Sequence, residues 1–209
     1  MKKLAIVLVA AILIAGGMAA PALAGPYFSV NGGAVWVEDS DISDDDPDVS
    51  FEELSYDTGY VVNAALGQAY SNGVRAELEL AYRTNDLDDL KLTFFGFPAS
   101  IPVGGEVTSW GFLANAYYDF PTQSAIRPFI GAGIGAVNVD IDLKVDGVSD
   151  SEDDWVFAYQ LMAGFGIAVT KDVMFDVQYR FLGTDDPDFD GIEVEYMTHN
   201  VMAGLRFNF

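Results

Sequence analysis

Residues 74–84 read Val74-Arg75-Ala76-Glu77-Leu78-Glu79-Leu80-Ala81-Tyr82-Arg83-Thr84, and they alternate without interruption. Val74, Ala76, Leu78, Leu80 and Tyr82 fall on one face, and Arg75, Glu77, Glu79 and Arg83 on the other. Successive side chains of a strand point to opposite faces, so this segment is a strand with one apolar and one charged face. Residues 173–181 repeat the pattern, with Val173, Phe175, Val177, Tyr179 and Phe181 opposed to Met174, Asp176, Gln178 and Arg180. Residues 109–120 set Trp110, Phe112, Ala114, Ala116, Tyr118 and Phe120 against Gly111, Leu113, Asn115, Tyr117 and Asp119. At the end of the chain Val201, Ala203, Leu205, Phe207 and Phe209 oppose Asn200, Met202, Gly204, Arg206 and Asn208.

Four further segments, residues 27–37, 56–70, 127–139 and 156–169, bring the expected number of strands to about eight. An even number returns both ends of the sheet to one side, as an up-and-down barrel requires. Connection lengths alternate as well. Ser71-Asn72-Gly73, residues 121–126 and Thr170-Lys171-Asp172 are short turns, whereas residues 38–55, 85–107, 140–155 and 182–194 are long and polar. Short turns at one end and long loops at the other are the asymmetry of a transmembrane barrel. Val137, Val139, Ile141, Leu143 and Val145 keep the alternation going into a loop, which predicts hairpins rising above the bilayer.

The first residues fit export. Lys2 and Lys3 precede an apolar run over residues 4–15, and Ala22-Leu23-Ala24 supplies a small-residue cleavage site. A signal peptide over residues 1–24, cleaved after Ala24, is therefore expected, with one domain over residues 25–209; a retained helix would need a longer apolar run. Without Lys2 and Lys3 the chain has eight basic against 32 acidic residues, a net charge of −24. That balance excludes nucleic acid as a partner. With no cysteine, the exported chain has no disulfide to rely on.

A water-soluble barrel would also alternate, with its polar face outward. Three features favour the membrane. Aromatics on the apolar faces, Trp36, Tyr82, Trp110, Phe120, Tyr179 and Phe209, lie near strand ends, where interfacial girdles belong. The polar faces carry both signs of charge, which neutralise one another inside a narrow barrel. Third, Gly204, Phe207 and Phe209 resemble the C-terminal signal that bacterial outer-membrane barrels present to their assembly machinery, although Met202 stands where a polar residue is usual.

Residues 74–82, Leu113-Ala114-Asn115-Ala116-Tyr117-Tyr118-Asp119-Phe120, Arg127-Pro128-Phe129-Ile130-Gly131-Ala132-Gly133-Ile134-Gly135 and Phe157-Ala158-Tyr159-Gln160 resemble the outer-membrane β-barrel family of OmpA-like and opacity-type proteins and related bacterial surface antigens. The resemblance implies an all-β fold, a transmembrane antiparallel barrel of about eight strands in the bacterial outer membrane. It implies little about activity, because that family includes anchors, adhesins, antigens and proposed channels.

The polar faces bring together Arg75, Glu77, Glu79, Arg83, Asn115, Asp119, Asp176, Gln178, Arg180 and Arg206. An eight-strand barrel has an interior just wide enough for side chains, so a filling hydrogen-bond and salt-bridge network is expected rather than a pore. Gly131, Gly133 and Gly135 are expected to make room for large side chains opposite them. Asp186, Asp188, Asp190 and Gly191 match the first half of a calcium loop, but Met197 stands where the bidentate glutamate belongs. No cofactor is expected, calcium being the one candidate ligand. The acidic stretch at residues 39–48 reads as a solvated charge run.

His199, the one histidine, is placed by parity on the lipid face near the outer rim, and it lacks the His-x-Ser element that a lipid A deacylase would carry. The sequence thus points to a non-enzymatic barrel whose acidic loops carry a structural or surface-interaction role. A narrow passive channel for small solutes or ions is the first rival, and a lipid-modifying enzyme the second. Expected partners are outer-membrane lipid and lipopolysaccharide, the barrel-assembly machinery, and a host or cell-surface molecule met by the loops.

Overall fold

The computed structural model describes residues 23–38, 49–94, 97–102, 104–145, 148–185, 188–189, 192–193 and 196–209. Eight long strands form a closed antiparallel ring: β1 (Leu23–Val37), β3 (Gly59–Tyr70), β4 (Val74–Phe94), β6 (Gly104–Asp119), β7 (Ile126–Val145), β8 (Val148–Ala168), β9 (Val173–Thr184) and β12 (Met197–Asn208). Each pairs with its sequence neighbour in the ring, and β1 closes onto β12 from Tyr27 opposite Asn208 to Val37 opposite Thr198. Closure satisfies the backbone donors and acceptors that an open sheet would leave bare in hydrocarbon.

Three short connections mark one end. At the turn from β3 to β4, Asn72 Oδ1 accepts from the Val74 amide at 3.1 Å and Gly73 takes a φ of +88°, a conformation glycine adopts freely. At the turn from β8 to β9, Thr170 Oγ1 accepts from the Asp172 and Val173 amides.

The long connections differ from the sequence expectation. The sequence predicts loops over residues 38–55 and 85–107, yet β2 (Val49–Tyr56) takes up the end of the first, β5 (Phe97–Pro102) lies within the second, and β4 runs on to Phe94. The strand expected over residues 56–70 starts at Gly59, because β2 ends at Tyr56 and Asp57 and Thr58 interrupt. β2 and β5 pair with the upper part of β4, so a three-stranded sheet continues past the ring. Pro98 and Pro102 disguised β5. They fit there because β5 is an edge strand, paired among the described residues to β4 alone, and an edge tolerates residues without an amide donor. Likewise β7 and β8 stay paired up to Val145 opposite Val148, the projecting hairpin expected from residues 137–145. A small hairpin of β10 (Asp188–Phe189) and β11 (Ile192–Glu193) precedes β12.

Alternation sorts the faces as the membrane reading requires. Leu66, Leu78, Phe112, Ile130, Leu161 and Val201 project outward and are exposed. Outward aromatics form a row at the loop end: Tyr82 lies opposite Trp110 in the register, with ring centroids 4.8 Å apart, and Trp36 lies opposite His199. At the turn end Tyr118 and Phe120 meet edge to face at 5.1 Å. These two rows suit the two membrane interfaces, where amphipathic rings sit.

Candidate functional site

Inside the ring, residues of β4, β6, β9 and β12 meet across the lumen. All ten polar residues singled out in the sequence face inward; nine are buried and Asp119 is partly so. Nine of the ten join one hydrogen-bonded network. Arg75 donates from Nε to both Asp119 oxygens, at 3.0 and 2.9 Å, and Arg206 reaches Asp119 at 3.4 Å and Asp176 at 3.1 Å. Asn115 donates to Glu77 and Glu79, and Arg180 binds Glu79 and, at 3.5 Å, Gln178.

Three residues outside that set complete it. Tyr27 donates its hydroxyl to Glu77 at 2.8 Å and accepts from Arg75 at 3.4 Å, joining the two halves of the network. Tyr117 donates to Glu77 at 2.8 Å while its ring lies 4.4 Å beneath the Arg75 guanidinium. Gln160 donates to Asn115 at 2.6 Å. Alternation places Tyr117 on the polar face of its strand, but a tyrosine in a membrane strand also suits an interfacial girdle, and nothing in the sequence singled out Tyr27 or Gln160.

Arg83 stands apart. It is fully buried, and none of its three guanidinium nitrogens has a hydrogen-bond partner among the described residues.

Packing explains how so many long side chains fit. Tyr117, Asn115 and Leu113 on β6 stand opposite Gly131, Gly133 and Gly135 on β7, and a Cβ at any of these glycines would collide with its partner. Big residues on one strand thus occupy the space that glycines vacate on the next.

A second layer lies toward the loop end. Val37, Leu113, Val137, Val139, Val156 and Leu182, from five strands, form a buried apolar cluster with Tyr196 across the lumen. Polar filling throughout is what the sequence leads one to expect. The structure instead stacks an apolar plug above the charged network, because inward valines near the outer rim can pack on one another.

At the turn end the lumen opens into a blind pocket of about 660 Å³. Beyond its floor the gap between Asn31, Arg75, Glu77 and Tyr117 shrinks to about 10 Å³, room for about one water.

His199 sits at the outer rim on the lipid face, stacked on the Tyr179 ring and flanked by Phe181, whose ring is tilted by 50°. Its Nε2 lies 2.8 Å from Glu38 Oε1 and its Nδ1 2.5 Å from the Tyr179 hydroxyl. Of the calcium candidates, Asp186 and Asp190 lie outside the described residues, and Asp188 falls on β10. Met197 opens a strand rather than the helix that follows an EF-hand loop. The acidic stretch at residues 39–48 and most of residues 1–24, where a signal peptide is expected, also lie outside the described residues.

Residues 6–207 match the outer membrane protein beta-barrel domain. The chain belongs to that family. Its place is therefore the bacterial outer membrane, with the family's short turns on the periplasmic side and the extended strands outside. Over 208 residues it is 27% identical to an uncharacterized protein of Brucella abortus, covering 78% of this chain and 73% of that one. It is 32% identical over 131 residues to a putative adhesin of Rickettsia conorii, covering 52% of this chain and 51% of the adhesin. Among solved structures, Neisserial surface protein A has the same fold, with a TM-score of 0.61 and 18% identity over 90% of this chain and 99% of that one.

Proposed function

We propose that the barrel is a non-enzymatic anchor and that the strand-built, acidic extracellular region carries a surface interaction with a host or cell-surface molecule. The observation that carries this reading is the filled lumen, in which the Glu79 and Arg180 pair lies directly beneath an apolar plug. A barrel closed at two levels offers no path for solutes, which weighs against a passive channel. The extracellular sheet of β2, β4 and β5 and the β7 to β8 hairpin are built well beyond what spanning requires. The likeness to a putative adhesin points the same way.

Catalysis is not decided by this fold. Against a lipid-modifying enzyme, His199 contacts a carboxylate and a phenol, neither of them the serine or cysteine such acyl chemistry uses. Lipid and lipopolysaccharide surround the barrel in this reading, and Gly204, Phe207 and Phe209 serve the assembly machinery.

The test is adhesion of a non-adherent bacterial host displaying the protein. A variant lacking residues 39–48, and another with the β2, β4 and β5 extension cut back to a turn, should fold, as judged by heat-modifiable gel mobility, yet lose binding to cultured cells. Undiminished binding by both folded variants would overturn the assignment.

A further inference from the structure

Basic residues are scarce in this chain, and their placement is uneven. Eight follow the export segment, and four of them, Arg75, Arg127, Lys171 and Arg206, line the periplasmic pocket. We infer that this blind pocket is a binding site for a small organic anion, bearing a carboxylate or a phosphate, that enters from the periplasm.

The pocket floor is balanced: Arg75 and Arg206 share Asp119, and Arg206 also holds Asp176. Cations at the rim supply the excess. The Arg127 side chain has no hydrogen-bond or ion-pair partner among the described residues, and Lys171 reaches only the exposed Asp172, at 3.9 Å. An exposed pair at that distance is weak and leaves the ammonium available. The floor still has donor capacity to spare, since Arg206 Nε lacks an acceptor among the described residues. Phe120 and Met174 add an apolar wall for a carbon skeleton.

Volume and shape agree with a ligand site. About 660 Å³ lies within the range of pockets that enclose small molecules, roughly 300–1,000 Å³. A pocket closed at its inner end retains what enters it, whereas a pore would pass it. The strongly acidic remainder of the chain repels anions elsewhere, so a cationic mouth concentrates them at one place.

This inference rests on the filled-lumen reading for its closed inner end. The experiment is calorimetric titration of the folded protein in neutral detergent micelles, at low ionic strength, with inorganic phosphate and separately with citrate. Saturable one-site binding of either is expected, and the responding probe identifies phosphate or carboxylate as the recognised group. Arg127→Gln combined with Lys171→Gln should weaken that binding about tenfold, equivalent to about 1.4 kcal/mol. Absence of saturable binding for both probes, or equal affinity in the double variant, would overturn the site. Conductance recorded on the same samples keeps the two claims separable: current steps would overturn the filled lumen, while the isotherm judges the anion site.

Discussion

Arg180 on β9 donates from Nη1 to both carboxylate oxygens of Glu79 on β4, at 2.5 and 2.6 Å. These strands stand four apart in either direction around the eight-strand ring, so the pair spans the lumen at its widest. Both side chains are almost entirely buried. Glu79→Gln leaves a buried guanidinium without its counter-charge, and we expect a loss of about 3–5 kcal/mol in reversible urea unfolding. Replacing both residues, Glu79→Leu with Arg180→Met, should cost little or even stabilise, by up to about 4 kcal/mol. Equal stability of Glu79→Gln and wild type would show that the pair does not tie the barrel together.

Gly133 gives a second, steric test. Its missing Cβ is the space that Asn115 occupies on β6. Gly133→Ala should destabilise by about 1–3 kcal/mol through overpacking. Ala132→Val, one residue away on the lipid face, should change stability little. The unfolding midpoints of the two variants decide between a packed lumen and a loose one.

Acid should tighten the extracellular hairpin. Asp140 stands opposite Asp153 in the β7 to β8 register, and partial burial together with the Asp142 and Asp153 charges holds its carboxyl above the usual carboxylate range. The folded state therefore binds this proton at a pH where the unfolded state has lost it, so stability falls as pH rises through that window. Amide exchange in the hairpin should slow as pH is lowered from neutral toward the raised value, after correction for intrinsic exchange. Asp140→Asn should remove that dependence, and an unchanged profile would contradict it.

Phe209 separates assembly from stability. Its amide pairs with the Pro26 carbonyl at 3.0 Å, but the residue is 79% exposed and packs little of the barrel. Phe209→Ala should cost the refolded protein less than the about 3–5 kcal/mol of a buried Phe→Ala, because its ring meets lipid or detergent rather than packed neighbours. The amount of folded barrel recovered from outer membranes should nevertheless fall. Normal recovery would remove the assembly role given to this residue.

Residues 74–84 made the membrane strand legible because one strand face meets lipid and the other meets charge. The same logic hid the plug. Val137 and Val139 are apolar and inward, and alternation cannot distinguish a valine packed against residues of four other strands from one in hydrocarbon. Tyr27 and Tyr117 were hidden for a related reason, since a tyrosine suits both an interface and a buried hydroxyl network. β2 and β5 were illegible because Glu52, Glu53, Pro98 and Pro102 are loop residues by composition, and only pairing with β4 makes them strands. The charged part of the lining, by contrast, was readable from parity, because the pleat fixes every second residue once one is placed.

A closed lumen leaves function to the surface outside it, and planar-bilayer recording of the refolded, detergent-purified protein reads that closure. A flat baseline under applied voltage is expected, with insertion verified by heat-modifiable mobility of the same sample; reproducible single-channel steps would show an open path through the barrel.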